Sequence, residues 1–228
     1  MNRIKELPEK YKKIYKDFYK DYALSRTFMR KIISFFESWY HKEISNMGNE
    51  NETILEIGCG SLNHINYEKK FLSYEVVEPK EFLINQAERK KKIIISKTYT
   101  SLDCIPSNKN YSKIISIAVL EHVNNLEEHI LKIIDLLHPN GIFAVAIPAE
   151  GEFLWWLAWR LTSGISFWLK YRLDYGIIMR YEHINNSTDI LKKLRKYFFI
   201  YKLNSFPLNI KNFRIYITLE CKLNKRNF

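Results

Sequence analysis

Two glycines, Gly58 and Gly60, close the apolar run "TILEIG" and open a polar stretch, and a carboxylate, Glu78, ends the next apolar run 20 residues after Gly58. Glycine lets the chain turn sharply and approach a ligand with no Cβ in the way. A carboxylate at the end of the second strand accepts hydrogen bonds from ribose hydroxyls. The pair therefore predicts a nucleoside-bearing cofactor. A dinucleotide fingerprint would continue to a third glycine, and Asn63 stands there instead, which disfavours the nicotinamide reading. Two histidines, His122 in "LEHV" and His183 in "RYEHINN", add imidazoles that can take a proton near neutral pH.

The elements around these residues alternate. "TILEIG", "YEVVEP", "IIIS", "KIISIAV" and "GIFAVAIP" are short apolar runs separated by helical stretches such as "KEFLINQAERKKK" and "LEEHILKIIDLLH". Strands read this way when they are parallel and covered on both faces. "YFFIYKLNSFP" and "FRIYITLECKL" are joined by a link too short for a helical crossover, so they predict an antiparallel hairpin. The expected fold is α/β, a doubly wound, mostly parallel seven-stranded sheet with an antiparallel C-terminal hairpin. Ahead of it, Tyr11, Ile14, Phe18 and Tyr22 fall at helical spacing, as do Phe28, Ile32, Phe35, Phe36 and Trp39 with Ser25 as a cap. The division is an N-terminal helical lid over residues 1–48 and a Rossmann-like domain over 49–228. A helical insert at about 150–186 builds the acceptor side and also serves as a lid. In such sheets ligands lie beyond the carboxyl ends of the strands, where the turn after "TILEIG" falls.

Composition narrows the class. The chain has 228 residues, enough for one sizeable core with appendages. Its three cysteines, Cys59, Cys104 and Cys221, are scattered without metal-ligand spacing, which argues against a disulfide framework and a zinc site. "MNRIKELPEKYKK" has no apolar core of signal-peptide length, so a cytoplasmic location is expected. The apolar window Phe153 to Tyr171 has Arg160 in its middle, against a spanning helix. Lys and Arg number 36 against 25 Asp and Glu, a net charge of +11, which favours acidic partners.

"LEIGCG", "VVEP" and "IISIAVLEHVNNLEEHILKIIDLLHPNGIFAVAIP" together resemble the class I methyltransferases that use S-adenosylmethionine and release S-adenosylhomocysteine. The terminal hairpin resembles them too. The resemblance implies that Glu56, Gly58, Gly60 and Ser61 hold the methionine end and that Glu78, followed by Pro79, holds the ribose. It further implies Ser101, Leu102 and Asp103 on the adenine side, with Ile117 and Ala118 near the sulfonium. Leu62 stands where many members have another glycine, Ser101 where an aspartate is usual, and Lys113 where the fourth strand usually opens with Asp.

Methyl transfer requires the donor and nucleophile to be aligned, and a hydroxyl acceptor also requires a base. His122, just past the fourth strand, is the first choice for that base and His183 the second. Glu121 could orient the base. Quinone-biosynthesis enzymes resembling the "LEH" block use such residues for metal, but Ala118 replaces one carboxylate of that set, so no metal is expected. "LEHV", "IPAEG" and "EHIN" resemble members of bacterial surface-polysaccharide pathways. That implies O-methylation of a small anionic carbohydrate, or of a phosphate- or nucleotide-bearing precursor of capsule or O-antigen. A second reading is a quinone or lipid-like acceptor at the inner membrane face, because Trp155, Trp156, Trp159 and Trp168 crowd the insert. A non-catalytic cofactor-binding module is a third. Nucleic acid is disfavoured, since "SIAVLEH" replaces the Asp/Asn-Pro-Pro-aromatic run of base-amino methylation.

Overall fold

The computed structural model describes residues 4–15, 28–50, 52–91 and 95–224. Seven strands form one sheet: β1 Glu52–Ile57, β2 Phe71–Val77, β3 Lys97–Tyr99, β4 Tyr111–Ile117, β5 Leu137–Pro148, β6 Phe198–Pro207 and β7 Arg214–Leu223. Their order is β3-β2-β1-β4-β5-β7-β6. β1 pairs in parallel with β2 and β4, and β4 with β5, while β7 runs antiparallel to both β5 and β6. This is the doubly wound sheet with a terminal hairpin that the alternating runs predict.

Helices cover both faces, which is why the central strands are mainly apolar. One begins at residues 9–15 (α1). The others are α2 Phe28–Ser45, α3 Glu81–Lys91, α4 Leu126–Leu136, α5 Phe153–Trp159, α6 Ile165–Tyr171, α7 Tyr175–Glu182 and α8 Ser187–Tyr197. Side chains alternate across each strand. Leu55, Ile57 and Val77 thus join a core with α4 and α8, and Ile54, Val76 and Ala144 join another with α2 and α3. Asn125 and Asn186 start α4 and α8 by accepting hydrogen bonds from the backbone N–H of Glu128 and Asp189, the capping that their side-chain oxygens favour.

Of the expected N-terminal lid, α2 lies on the sheet, burying Tyr40 and Ile44, with Met47 buried in the turn just past its end. Residues 4–15 lie on the insert: Leu7 and Tyr11 pack with Phe167 and Ile178, and Tyr15 Oη donates to Glu182 at 2.6 Å. Phe18, Tyr22 and Ser25 fall outside the described residues, as do Ile93 and Ile94 of "IIIS". The third strand is not "IIIS" but the three residues that follow it. Its place is set by pairing. Ser96 Oγ accepts from the Tyr74 N–H at 3.1 Å, and Tyr99 Oη donates to Glu75 at 2.9 Å.

Lys113, the departure at the start of β4, is 1% exposed. Its ammonium meets both Glu68 oxygens at 2.8 and 3.0 Å and donates to the Ile44 carbonyl at 3.1 Å. That carbonyl lies in the last turn of α2, where a cation is favoured by the helix dipole and by the unpaired carbonyls. Glu68 also pairs with His64 Nε2 at 2.8 Å, and His64 Nδ1 meets His41 Nδ1 of α2 at 3.0 Å. A buried cation thus ties α2 to the sheet.

Candidate active site

The carboxyl ends of β1, β2 and β4 lie side by side, with Ile57 opposite Val77 and Ser116. The turn after β1 is left-handed at Gly58 (φ 69°), Gly60 (φ 50°) and Leu62 (φ 54°). A Cβ on Gly58 would stand 2.4 Å from Val119 Cγ2, whereas one on Gly60 would meet nothing within 4 Å. Gly58 is therefore demanded by packing, and Gly60 by the backbone conformation beside open space. Leu62 takes the conformation at a cost of roughly 1 to 2 kcal/mol and is fully buried, which gives the physical reason a glycine would suit this position.

Glu78 joins the turn to the end of β2: one carboxylate oxygen accepts from the Gly60 N–H at 2.9 Å and the other from the Lys80 N–H at 3.0 Å. Glu56 lies beneath the turn, buried, accepting from Tyr74 Oη at 2.7 Å, while Ser61 is exposed. Beside the turn is a cavity of about 320 Å³ lined by Gly58, Pro79, Ser101, Leu102 and Asp103. It gathers one of the two turn glycines, the residue after Glu78 and all three adenine-side candidates. Asp103 also meets Lys132 at 2.7 Å across its rim. The strand-end glycines, the carboxylate at the turn and this cavity fit an adenosine-bearing cofactor. In Glu78→Ala, affinity for S-adenosylhomocysteine should fall roughly tenfold or more, since a charge-assisted hydrogen bond contributes about 1.5 to 3 kcal/mol. Calorimetry on the folded variant reads it, and unchanged affinity would remove the ribose assignment.

On the other side of β4, Ile117 is half-buried and Ala118, at φ 53°, turns the chain into a short helical turn, Leu120–His122. The blocks "LEHV" and "EHIN" are bolted together there. The Ile184 and Asn185 N–H groups donate to the Glu121 carbonyl at 2.7 and 3.1 Å, and Asn185 Nδ2 donates to the Leu120 and Val123 carbonyls at 2.9 and 2.7 Å. The result is that His122 and His183, 61 positions apart in the chain, lie edge to face with centroids 4.8 Å apart. His122 Nδ1 bonds the Glu182 carbonyl at 3.0 Å. His183 Nδ1 bonds Glu150 Oε2 at 2.5 Å.

Glu150, two residues beyond β5, is the partner that residue types alone did not single out; a carboxylate just past a strand end in "IPAEG" was the available signal. Burial pulls the His183 pKa down, but its hydrogen bond to Glu150 and the charges of Glu150, Glu121 and Glu182 outweigh that, and it stands above the ordinary imidazole value. Glu121 is fully buried and its carboxyl pKa is raised by burial; its Oε2 has no hydrogen-bond partner. Glu121, His122 and His183 each offer one ligand atom, all within 4.8 Å of one another.

Three cavities meet on the histidines. One of about 350 Å³ is lined by Ala118, Glu121 and both rings, with Trp155, Trp159 and Met179 on its wall. A second, about 650 Å³, shares His183 and Trp155 and is lined by Arg180. A third, about 560 Å³, shares His122 and is lined by Lys5 and Lys80. In the insert, Trp155 and Trp159 are buried in the core while Trp156 and Trp168 face outward.

Residues 26–174 match a family model described as a methyltransferase domain. No curated protein matches the chain in sequence. Among solved structures, the chain is similar to the N-methyltransferase NodS from Bradyrhizobium japonicum WM9 in complex with S-adenosylhomocysteine. The identity is 12% and the TM-score 0.64, over 96% of this chain and 100% of that one. It is similar also to an S-adenosylmethionine-dependent methyltransferase from Mesorhizobium loti, at 12% identity and TM-score 0.56, over 80% and 96%. These likenesses show the fold, and the family match covers most of the chain. With the glycine turn and its cavity in place, the chain belongs to the methyltransferase domain family and is an S-adenosylmethionine-dependent methyltransferase.

Proposed function

We propose that the enzyme methylates a hydroxyl oxygen of a small anionic carbohydrate or of its phosphate- or nucleotide-linked precursor, as in capsule or O-antigen decoration. One observation carries the hydroxyl: the His183–Glu150 pair at 2.5 Å beside a cavity that Ala118 also lines. A bound S-adenosylmethionine supplies an electrophilic methyl group on a sulfonium. Glu56, Gly58, Gly60, Ser61 and Glu78 would hold its methionine and ribose, Pro79, Ser101, Leu102 and Asp103 its adenine side, with Ile117 and Ala118 toward the reacting end. Glu150 accepts the His183 Nδ1–H, which leaves the Nε2 lone pair free to take the acceptor's hydroxyl proton and holds the imidazolium that results. The reversal of the expected order, His183 before His122, rests on that carboxylate; His122 then positions the acceptor. Residues 4–15 close over the insert as part of a lid.

The anionic acceptor is supported by charge. Glu150 and Glu152 are already paired with His183 and Arg214, and Arg180, Lys5 and Lys80 line the cavities on either side of the histidines. The test is incubation of the enzyme and S-adenosylmethionine with nucleotide-linked sugars, phosphorylated sugars and quinone precursors. Formation of S-adenosylhomocysteine with the phosphate-bearing sugars is expected; turnover of quinone precursors alone overturns the carbohydrate reading.

A metal-assisted version is favoured by one observation, the Glu121, His122 and His183 trio with its unpartnered carboxylate oxygen. Each histidine's Nδ1 is oriented by an oxygen, as metal-bound imidazoles are. The metal-free version predicts full turnover after chelation and no stoichiometric divalent metal in the purified protein, which elemental analysis decides.

A further inference from the structure

Helices α5 and α6 are joined by a π-helical turn, Arg160–Gly164, into one run from Phe153 to Tyr171. Its inward face is apolar, with Trp155, Trp159 and Phe167 buried. An ordinary surface helix would be polar on the other face. Here Phe153, Trp156, Leu161, Ile165, Trp168 and Leu169 are each between 39% and 59% exposed. The tip between β6 and β7 continues the surface with Leu208, Ile210 and Phe213, all at least half exposed. The two parts are joined by hydrogen bonds, since the Leu154 N–H donates to the Asn212 carbonyl at 2.9 Å and the Asn212 N–H to the Glu152 carboxylate at 2.8 Å.

Charge identifies what covers this face. Between Phe153 and Leu173 there is no Asp or Glu, but there are Arg160, Lys170 and Arg172; between Asn204 and Leu219 there is again none, and there Lys211 adds a cation while Arg214 is taken up by the buried Glu152. The guanidinium groups of Arg160 and Arg172 sit over Trp156 and Trp168, at 4.5 and 4.4 Å from the ring centres. A second copy placed on this face by a two-fold axis would set these cations against one another with no carboxylate between them. An anionic lipid surface satisfies both halves of the pattern, because acyl chains accept the apolar rows and headgroup phosphates accept the cations. No helix among the described residues is long and apolar enough to cross a membrane, so the contact is one of lying on the bilayer.

We propose that the outward face of α5 and α6, with the β6–β7 tip, docks the enzyme on an anionic phospholipid bilayer. Phe153, Trp156 and Phe213, all exposed, line the same 650 Å³ cavity as His183, so docking would bring that cavity to the membrane. For what is delivered there the inference rests on the methyl-transfer reading above, and it makes the acceptor a hydroxyl compound held at the lipid surface.

The full-length protein is sedimented with vesicles of phosphatidylcholine alone and of phosphatidylcholine mixed with phosphatidylglycerol, with no methyl donor present. Binding is expected to the mixed vesicles, to weaken with salt, and to move Trp emission to the blue. Arg160→Glu with Arg172→Glu, and separately Leu161→Glu with Leu169→Glu, should each weaken binding on the order of tenfold or more. Calorimetry with S-adenosylhomocysteine confirms that each variant is folded. Absence of binding to the mixed vesicles, or binding that neither variant weakens, overturns the proposal. So does a dimer that the leucine variant dissociates while vesicle binding stays unchanged. Cofactor binding without vesicle binding removes only the docking surface, whereas loss of cofactor binding by the unaltered protein removes the methyl-transfer reading.

Discussion

His183→Ala should lower kcat by about 100-fold to 10,000-fold, the usual contribution of a positioned general base, while affinity for S-adenosylhomocysteine stays at the unaltered value. The ring sits on the acceptor side of Ala118, away from the glycine turn, so its loss leaves the cofactor cavity in place. The pH profile separates a base from a bystander. The folded pKa of His183 is raised, so the base is protonated and idle below it, and the acid limb of kcat should fall above about 6.5, the ordinary imidazole value. Glu150→Gln keeps the shape but removes the charge that raises that pKa, and should move the limb down while lowering kcat. The same shift has a stability consequence. Because the folded pKa lies above the unfolded one, the protonated pair contributes stability below about pH 6.5 that is lost as pH rises through the folded value. His122→Ala should cost less than His183→Ala and leave the limb in place. A kcat unchanged across pH in His183→Ala would mean that the acceptor arrives ionised or loses its proton elsewhere, and the dyad would have no part in the chemistry.

The second large effect is expected far from the chemistry. Lys113→Ala should destabilise the fold by about 3 to 5 kcal/mol, the cost of leaving a buried carboxylate without its cation. Lys113 and Glu68 have side chains 1% and 5% exposed, and the lost ammonium also uncaps the Ile44 carbonyl at the end of α2. Replacing both members, Lys113→Met with Glu68→Met, should recover part of the loss, because an apolar pair of similar volume has no charge to desolvate. Urea denaturation of the unaltered protein, Lys113→Met, Glu68→Met and the double variant closes the cycle. A single-variant cost below about 1 kcal/mol would mean that water already reaches the pair and that α2 is held by its apolar face alone.

The sequence by itself determined the sheet, the crossover pattern and the glycine turn after β1, for reasons that are local. Strands covered on both faces are mainly apolar along their length, so "TILEIG", "KIISIAV" and "GIFAVAIP" announce themselves despite Glu56 and Lys113. A turn that needs left-handed backbone is written in neighbouring residues, Gly58 and Gly60, with Glu78 one strand away. The two histidine blocks could be singled out by position, His122 just past the fourth strand and His183 in the insert, although an imidazole also serves purely structural hydrogen bonds, as His64 does. The third strand was misplaced because an edge strand of three residues is selected by its partner's backbone and by Tyr99 reaching Glu75, not by its own hydrophobicity.

What only the tertiary structure decided are the pairings between distant residues. Glu150 meets His183 across 33 positions and Lys113 meets Glu68 across 45, and a buried charge reads like any surface charge until its surroundings are known. The insert is the clearest case. Helical spacing separates Trp155 and Trp159 from Trp156 and Trp168, but both rows are equally apolar, so period alone could not say which faced the core. That was settled when α7, α8 and the sheet closed on one row and left the other, bordered by Arg160 and Arg172, facing outward.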